Sequence, residues 1–241
     1  MQPAAGELAA MIDHTFLKPD GAPDAIEALC REAVRWRFAC AMVNPCEVAN
    51  AARLVAGSGV KVGTVIGFPL GQSTLGAMAF EAAEALRNGA GELDFVINVR
   101  GLKKAAASVA ADCGDDAVAA LPLTAGYRRM LAEVNGGRGT VTKIIIETCY
   151  LTDAEKVLAC RVAKAAGFDF VKTSTGFGPA GATVADVALM RRTVGPGMGV
   201  KAAGGIRDLE TALALVGAGA NRLGCSAGVA IMEALERRAQ A

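Results

Sequence analysis

The chain has a single histidine, His14, and a single tryptophan, and aromatic residues make up only 5% of its 241 positions. One imidazole is too few for a catalytic zinc or copper centre, which usually takes two or three. It also leaves only one candidate partner for a nucleophilic cysteine. Seven cysteines are scattered without a Cys-x-x-Cys pair. That odd count speaks for reduced thiols and a cytoplasmic setting rather than a disulfide framework or a zinc knuckle. No apolar run reaches the roughly 18 residues of a membrane-spanning helix. The first seven residues lack the basic and apolar parts of a signal peptide. Net charge is +1 with the basic residues dispersed, so no electrostatic footprint for nucleic acid or an anionic membrane is present. Neither a Gly-x-Gly-x-x-Gly nor a Walker-type loop occurs in a strand-to-helix context. The expected partner is a small molecule, with no metal and no organic cofactor.

What the chain has in quantity is Ala, Val, Leu, Ile and Gly. Hydrophobic residues reach 53% and the mean hydropathy is +0.36, a composition suited to helices packed on strands. Apolar runs of strand length fall at Asp13–Leu17, Phe38–Val43, Lys61–Ile66, Leu93–Asn98, Thr142–Glu147, Phe170–Thr173, Val200–Ala203 and Arg222–Gly224. Helical patterns alternate with them. Ser73 is placed to cap a helix over Leu75–Asn88, Thr152-Asp153-Ala154-Glu155 is a capping box, and Asp208 can cap Leu209–Val216. Asn88-Gly89-Ala90-Gly91, Ala165-Ala166-Gly167 and Gly217-Ala218-Gly219-Ala220 each end a helix at a glycine and lead into a strand. Eight such units predict a single-domain (β/α)₈ TIM barrel over residues 1–241, with a short N-terminal helical extension. A doubly wound sheet is the second fit. Residues Leu102–Arg138 carry Gly114, Pro122, Gly126, Gly136 and Gly137, which predict two shorter helices and a loop around Leu121–Gly126.

Two lysines stand in apolar strand ends. Lys172 closes Phe168-Asp169-Phe170-Val171-Lys172 and Lys201 lies in Gly199-Val200-Lys201-Ala202-Ala203; each runs into a small-residue turn. The chain has only nine lysines, and one inside a sheet is costly unless it is neutral, paired or engaged in chemistry. Two close together depress each other's pKa, which makes a free-amine nucleophile near neutral pH. Period two puts Asp94, Val96 and Asn98 on the face opposite Leu93, Phe95 and Ile97, so Asp94 can enter the same lumen as the lysines and carry protons. A purely structural Lys–Asp pair is the alternative. His14 reads as a packing or supporting histidine.

Two glycine loops, Ala203-Gly204-Gly205-Ile206-Arg207-Asp208 and Leu223-Gly224-Cys225-Ser226-Ala227-Gly228, link a strand to a helix. Backbone N–H groups in such turns form anion sites, and phosphate binding after strands seven and eight recurs in barrels. The bland alternative is that the glycines only permit tight turns.

At these residues the chain resembles the 2-deoxyribose-5-phosphate aldolases. The motifs are Ile12-Asp13-His14-Thr15-Phe16-Leu17-Lys18-Pro19, Val65-Ile66-Gly67-Phe68-Pro69-Leu70-Gly71 and Glu92-Leu93-Asp94-Phe95-Val96-Ile97-Asn98. They continue with Ile144-Ile145-Ile146-Glu147-Thr148-Cys149, Phe170-Val171-Lys172-Thr173-Ser174-Thr175-Gly176-Phe177 and Lys201-Ala202-Ala203-Gly204-Gly205-Ile206-Arg207. The resemblance implies a barrel that cleaves 2-deoxy-D-ribose 5-phosphate to acetaldehyde and D-glyceraldehyde 3-phosphate. It implies Lys172 as Schiff-base lysine, Lys201 as second lysine and Asp94 as proton-relay carboxylate. Gly176, Gly204, Gly205, Gly224, Ser226, Asp13 and Thr15 are the implied substrate and phosphate contacts, and a homo-oligomer of two or more copies is implied as well. Met42 stands where the family usually carries cysteine, and Gly63 replaces a commoner choice.

Overall fold

The computed structural model describes residues 3–110, 113–135 and 139–240. Eight parallel strands close into a barrel in sequence order, so the doubly wound alternative is excluded by the pairing of the first strand with the last. In chain order the elements are α1 (Ala5–Ala9), β1 (Ile12–Phe16), α2 (Ala25–Trp36), β2 (Cys40–Val43), α3 (Val48–Leu54), β3 (Lys61–Ile66) and α4 (Leu75–Arg87). Then follow β4 (Glu92–Val96), α5 (Val99–Ala106), α6 (Asp115–Ala120), α7 (Pro122–Asn135), β5 (Val141–Ile145), α8 (Asp153–Ala166) and β6 (Phe170–Lys172). The chain ends with α9 (Val184–Val194), β7 (Gly199–Ala203), α10 (Leu209–Gly217), β8 (Arg222–Cys225) and α11 (Gly228–Gln240). All eight strands fall where the apolar runs predict them, with limits that agree to within two residues. The N-terminal extension is α1, which packs on α11.

Strand alternation divides the residues into two sets. Ile12, Val43, Val62, Leu93, Phe95, Ile144, Val171, Val200 and Leu223 face outward into the main core beneath the helices. The intervening residues enter the lumen. There Cys40, Met42 and Val65 from β2 and β3 form a separate small apolar cluster with Leu17.

Local signals set the helix ends. The Thr152–Glu155 capping box forms as read, and Asp208 caps α10 by accepting from Thr211 N. The cap of α4 is Thr74, not Ser73: its hydroxyl accepts from Ala77 N, one register later than expected. The stretch after α5 also differs from expectation. The interruption lies between Ala106 and Asp115, where Gly114 precedes α6, and only Leu121 separates α6 from α7. Pro122 starts α7, a place where its missing N–H costs nothing. Gly126 lies inside α7, where a Cβ would stand 2.7 Å from the Leu75 Cδ1. Gly136, Gly137 and Arg138 lie outside the described residues. Among those described, no helix is long and apolar enough to cross a membrane.

One glycine is fixed by both conformation and space. Gly71 adopts φ +63, donates to the Gly67 carbonyl at 2.8 Å, and a Cβ there would stand 2.2 Å from the Ile97 carbonyl oxygen. Gly57 has φ +76 but open space around it. Gly57→Ala is therefore expected to cost only the left-handed strain, about 1 kcal/mol. Gly71→Ala must add overpacking of about 1–3 kcal/mol to that strain. Urea unfolding of the two variants checks the ordering; equal losses would contradict it.

Candidate active site

The lumen holds a ladder of charge running along the barrel axis. Arg222, first residue of β8, enters at the N-terminal end, its guanidinium 5.4 Å from the Phe170 ring. It donates to Asp13 Oδ1 at 2.7 Å and contacts Glu92 Oε2 at 3.1 Å. Above it Lys143 Nζ donates to Glu92 Oε2 at 2.6 Å and to Asp94 Oδ1 at 2.9 Å, with Asp13 Oδ2 at 3.8 Å. Lys201 Nζ bonds Asp13 Oδ2 and donates to Asp94 Oδ2 at 2.7 Å. Lys172, last residue of β6, ends the ladder at the mouth and donates to the same Asp94 Oδ2 at 2.8 Å. Lys172 and Lys201 are direct neighbours in the β6–β7 register. The amines thus meet on one carboxylate oxygen.

Three carboxylates, Asp13, Glu92 and Asp94, face four cations, Lys143, Lys172, Lys201 and Arg222. With all of them ionised the cluster carries one excess positive charge, and burial makes that excess expensive. The excess falls on Lys172. Burial, with the repulsion of Lys201 and Lys143, pulls its ammonium down to about 8 despite the attraction of Asp94. Lys143 moves the other way: burial disfavours its charge, but Asp94, Asp13 and Glu92 outweigh that and hold it above the ordinary lysine range. Burial alone would raise Asp94, yet Lys143, Lys172 and Lys201 together keep its carboxyl well below the usual range. Asp13 is lowered in the same way, against its own burial, chiefly by Lys201, Lys143 and Arg222.

Lys172, Lys201 and Asp94 are therefore brought together as expected from the sequence. Lys143, Glu92 and Arg222 belong to the same cluster and were not singled out there. Lys143 carries the signal that marked Lys172, a lysine in an apolar strand, Val141-Thr142-Lys143-Ile144-Ile145. Asp13 lies inside the ladder with both oxygens engaged by cations, so it faces Lys201 and Arg222 and not a phosphate loop. Thr15 follows it on the same face and donates to the Asp13 carbonyl at 2.7 Å. His14 points outward, its Nε2 2.7 Å from Glu32 and its ring 5.2 Å from Phe38.

The glycines separate into two groups. Gly176 and Gly204 come together at the mouth, both with positive φ: a Cβ on Gly204 would stand 3.6 Å from the Gly176 Cα. Gly205 follows, exposed and open. Gly224 sits deeper and makes room for the stem of Lys201, whose Cε lies 3.0 Å from the Cβ position. Ser226 is exposed in the turn before α11. Glu147, in the turn after β5, has φ +54, is buried, and accepts from the backbone N–H and the hydroxyl of Thr175. It anchors the segment that follows Lys172.

The only grouping of metal-type donors among the described residues is Asp13, Cys40 and Glu92. The two carboxylates already meet Lys143, Lys201 and Arg222. The Cys40 thiol is pushed well above its usual range by burial and by the nearby acids. These residues form an ion-pair cluster and do not suit a cation.

The family model for DeoC/LacD family aldolases matches residues 8–234. The deoxyribose-phosphate aldolase of Bacteroides thetaiotaomicron is 54% identical over 95% of this chain and 90% of its own. That of Methanothermobacter thermautotrophicus is 50% identical over 94% of each. A solved deoxyribose phosphate aldolase from Aeropyrum pernix, described as a unique tetramer, superposes with a TM-score of 0.83 at 33% identity, covering 97% of this chain and 92% of that one.

The depressed Lys172 amine carries a stability consequence with a definite sign. Its ammonium is less stable in the folded than in the unfolded state, so the cost is complete below pH 8 and fades as pH rises towards the unfolded lysine value. Lys172→Met should therefore be more stable than the parent at pH 6, by on the order of 2–3 kcal/mol. The difference should shrink between pH 8 and 10.5. Denaturant unfolding across that range tests this, and a less stable variant at pH 6 would contradict the charge count.

Proposed function

Given that the chain belongs to the DeoC/LacD family of aldolases, we infer that it cleaves 2-deoxy-D-ribose 5-phosphate, reversibly, to acetaldehyde and D-glyceraldehyde 3-phosphate through an imine on Lys172. The observation that carries this reading is the Lys172 amine: last on its strand, at the mouth, and brought to about 8 by its surroundings. A pKa in that range leaves a usable fraction of free amine near neutral pH.

Neutral Lys172 attacks C1 of the open-chain sugar, and loss of water gives an iminium. The C3 hydroxyl gives up its proton, C3 becomes the aldehyde carbon of glyceraldehyde 3-phosphate, and the C2–C3 bonding pair moves into the C1–C2 enamine. Protonation at C2 and hydrolysis release acetaldehyde and return the amine. Asp94 is held too low to keep a proton of its own. The Lys201 ammonium acts as the proton reservoir, and Asp94 bridges it to the reacting centre, since both amines bond one of its oxygens. Gly176, Gly204 and Gly205, with Ser226 at the neighbouring turn, hold the phosphate by backbone and hydroxyl donors. That anchor fixes the far end so that the reacting carbons align. The protein works as a homo-oligomer in the cytoplasm; the tetrameric relative and the seven free cysteines support these two points.

Borohydride reduction in the presence of substrate should leave a covalent adduct on Lys172 by mass spectrometry, and Lys172→Ala should release no acetaldehyde. An adduct on Lys201 would reverse the two roles, and no adduct would leave only a phosphosugar-binding barrel.

Lys201 lowers the pKa of Lys172 by repulsion, so Lys201→Leu should move the acidic limb of the pH–rate profile to higher pH, with partial recovery in alkali. A lower profile with an unmoved limb would restrict Lys201 to proton transfer.

A further inference from the structure

Ser174 lies two residues beyond Lys172, fully buried, and its Oγ has no hydrogen-bond partner among the described residues. A buried hydroxyl without a partner costs about 1–3 kcal/mol, so its retention calls for an account. Its chain neighbours are all engaged. Thr173 Oγ1 donates to the Ala203 carbonyl at 3.1 Å and accepts from Ala203 N at 3.1 Å. Thr175 Oγ1 donates to Glu147 and accepts from Phe177 N at 3.1 Å. Thr173 is held on Ala203 of β7, and Ser174 follows it directly, two residues beyond the end of β6 at Lys172. A Cβ on Gly204 would stand 3.5 Å from the Ser174 Cβ and 3.6 Å from the Gly176 Cα. The unpartnered hydroxyl thus belongs to the segment that leads from Lys172 to the glycines of the mouth, and lies beside Gly204.

We propose that Ser174 Oγ binds the C4 hydroxyl of the sugar phosphate, which is the C2 hydroxyl of the glyceraldehyde 3-phosphate formed from it, and so selects the acceptor aldehyde. This assignment rests on the reaction proposed above. In that reaction C1 is bound to Lys172, the C3 oxygen must reach Asp94 and Lys201, and the phosphate on C5 goes to Gly176 and Gly204. C4 carries the one oxygen left over, and it lies along the stretch where Ser174 stands. A serine hydroxyl rotates to donate or accept as the substrate requires. A buried polar group that meets its partner only on the correct substrate rejects the analogue lacking it, because that analogue leaves the group unpaired.

The test is a cycle of two enzymes and two acceptors in the bond-forming direction. Wild type and Ser174→Ala are each given acetaldehyde with D-glyceraldehyde 3-phosphate or with 3-oxopropyl phosphate, which lacks the C2 hydroxyl. Wild type should lose about 10- to 100-fold in kcat/KM on the hydroxyl-free acceptor. Ser174→Ala should lose a similar factor on glyceraldehyde 3-phosphate and nothing further on 3-oxopropyl phosphate. Borohydride trapping of acetaldehyde alone, which has no hydroxyl to read, should be unchanged in the variant and shows that its fold and amine are intact. Equal losses on both acceptors, or no loss on either, would overturn the role of Ser174 while leaving the reaction standing. A wild-type enzyme that joins acetaldehyde to neither acceptor would instead overturn the reaction itself, and this assignment with it.

Discussion

Asp94 is the point on which the interior of this barrel turns. Its two oxygens accept from three buried lysines that come from three consecutive strands. Buried ion pairs add little net stability compared with apolar packing of the same volume, while removal of one partner is severely destabilising. A lumen filled with Val, Ile and Leu, as in many barrels of this type, would hold the strands together as well. The ladder from Arg222 to Lys172 is better understood as a device that sets protonation. It holds the Asp13 and Asp94 carboxyls low and Lys143 and Arg222 high, and passes the surplus to the amine nearest the mouth.

The surrounding frame makes that arrangement rigid. Glu147 adopts a left-handed conformation and fixes Thr175, three residues beyond the amine. Gly224 clears a passage for the stem of Lys201, and Phe170 fills the lumen opposite Gly199, its ring atoms within 2.1–2.5 Å of the Cβ position. None of these contacts touches the reacting atoms. Together they leave the amines few alternative positions, which is how a site gains orientation before substrate arrives.

The fold was legible because its signals are local and repeated: apolar runs of strand length, a glycine after several of the helices, capping residues at several of their starts. The strand limits and two of the three caps follow from those signals. The capping of α4 by Thr74 did not, since Ser73 and Thr74 are chemically equivalent caps and only the tertiary path of the preceding turn decides between them. Gly126 misled for a related reason. Inside α7 it packs beside Leu75 of another helix, a neighbour that no local pattern reveals. In the site, Lys172, Lys201 and Asp94 stood out as charged residues in apolar strands, and Lys143 bore the same mark. Arg222 and Glu92 begin their strands, where charge is ordinary, and their membership of the cluster depends on barrel closure. Gly224 looked like part of an anion loop and proves to be shaped at least as much by Lys201.

Met42 and Gly63 share one space across β2 and β3, and the structure ties them together as a pair. A Cβ on Gly63 would stand 2.6 Å from both the Met42 Cε and the Cys40 Sγ; the larger side chain on β2 occupies the volume given up on β3. This wall, with Val65, carries no ionised group, yet it borders the ladder directly: Cys40 pairs with Asp13 and Val65 with Asp94 in the strand register. Volume can be exchanged between β2 and β3 here without adding or removing a charge, but the exchange takes place against the flanks of Asp13 and Asp94. The apolar wall acts as a shim beside the carboxylates on which the amine depends, so a change of shape there reaches the amine through position and not through charge.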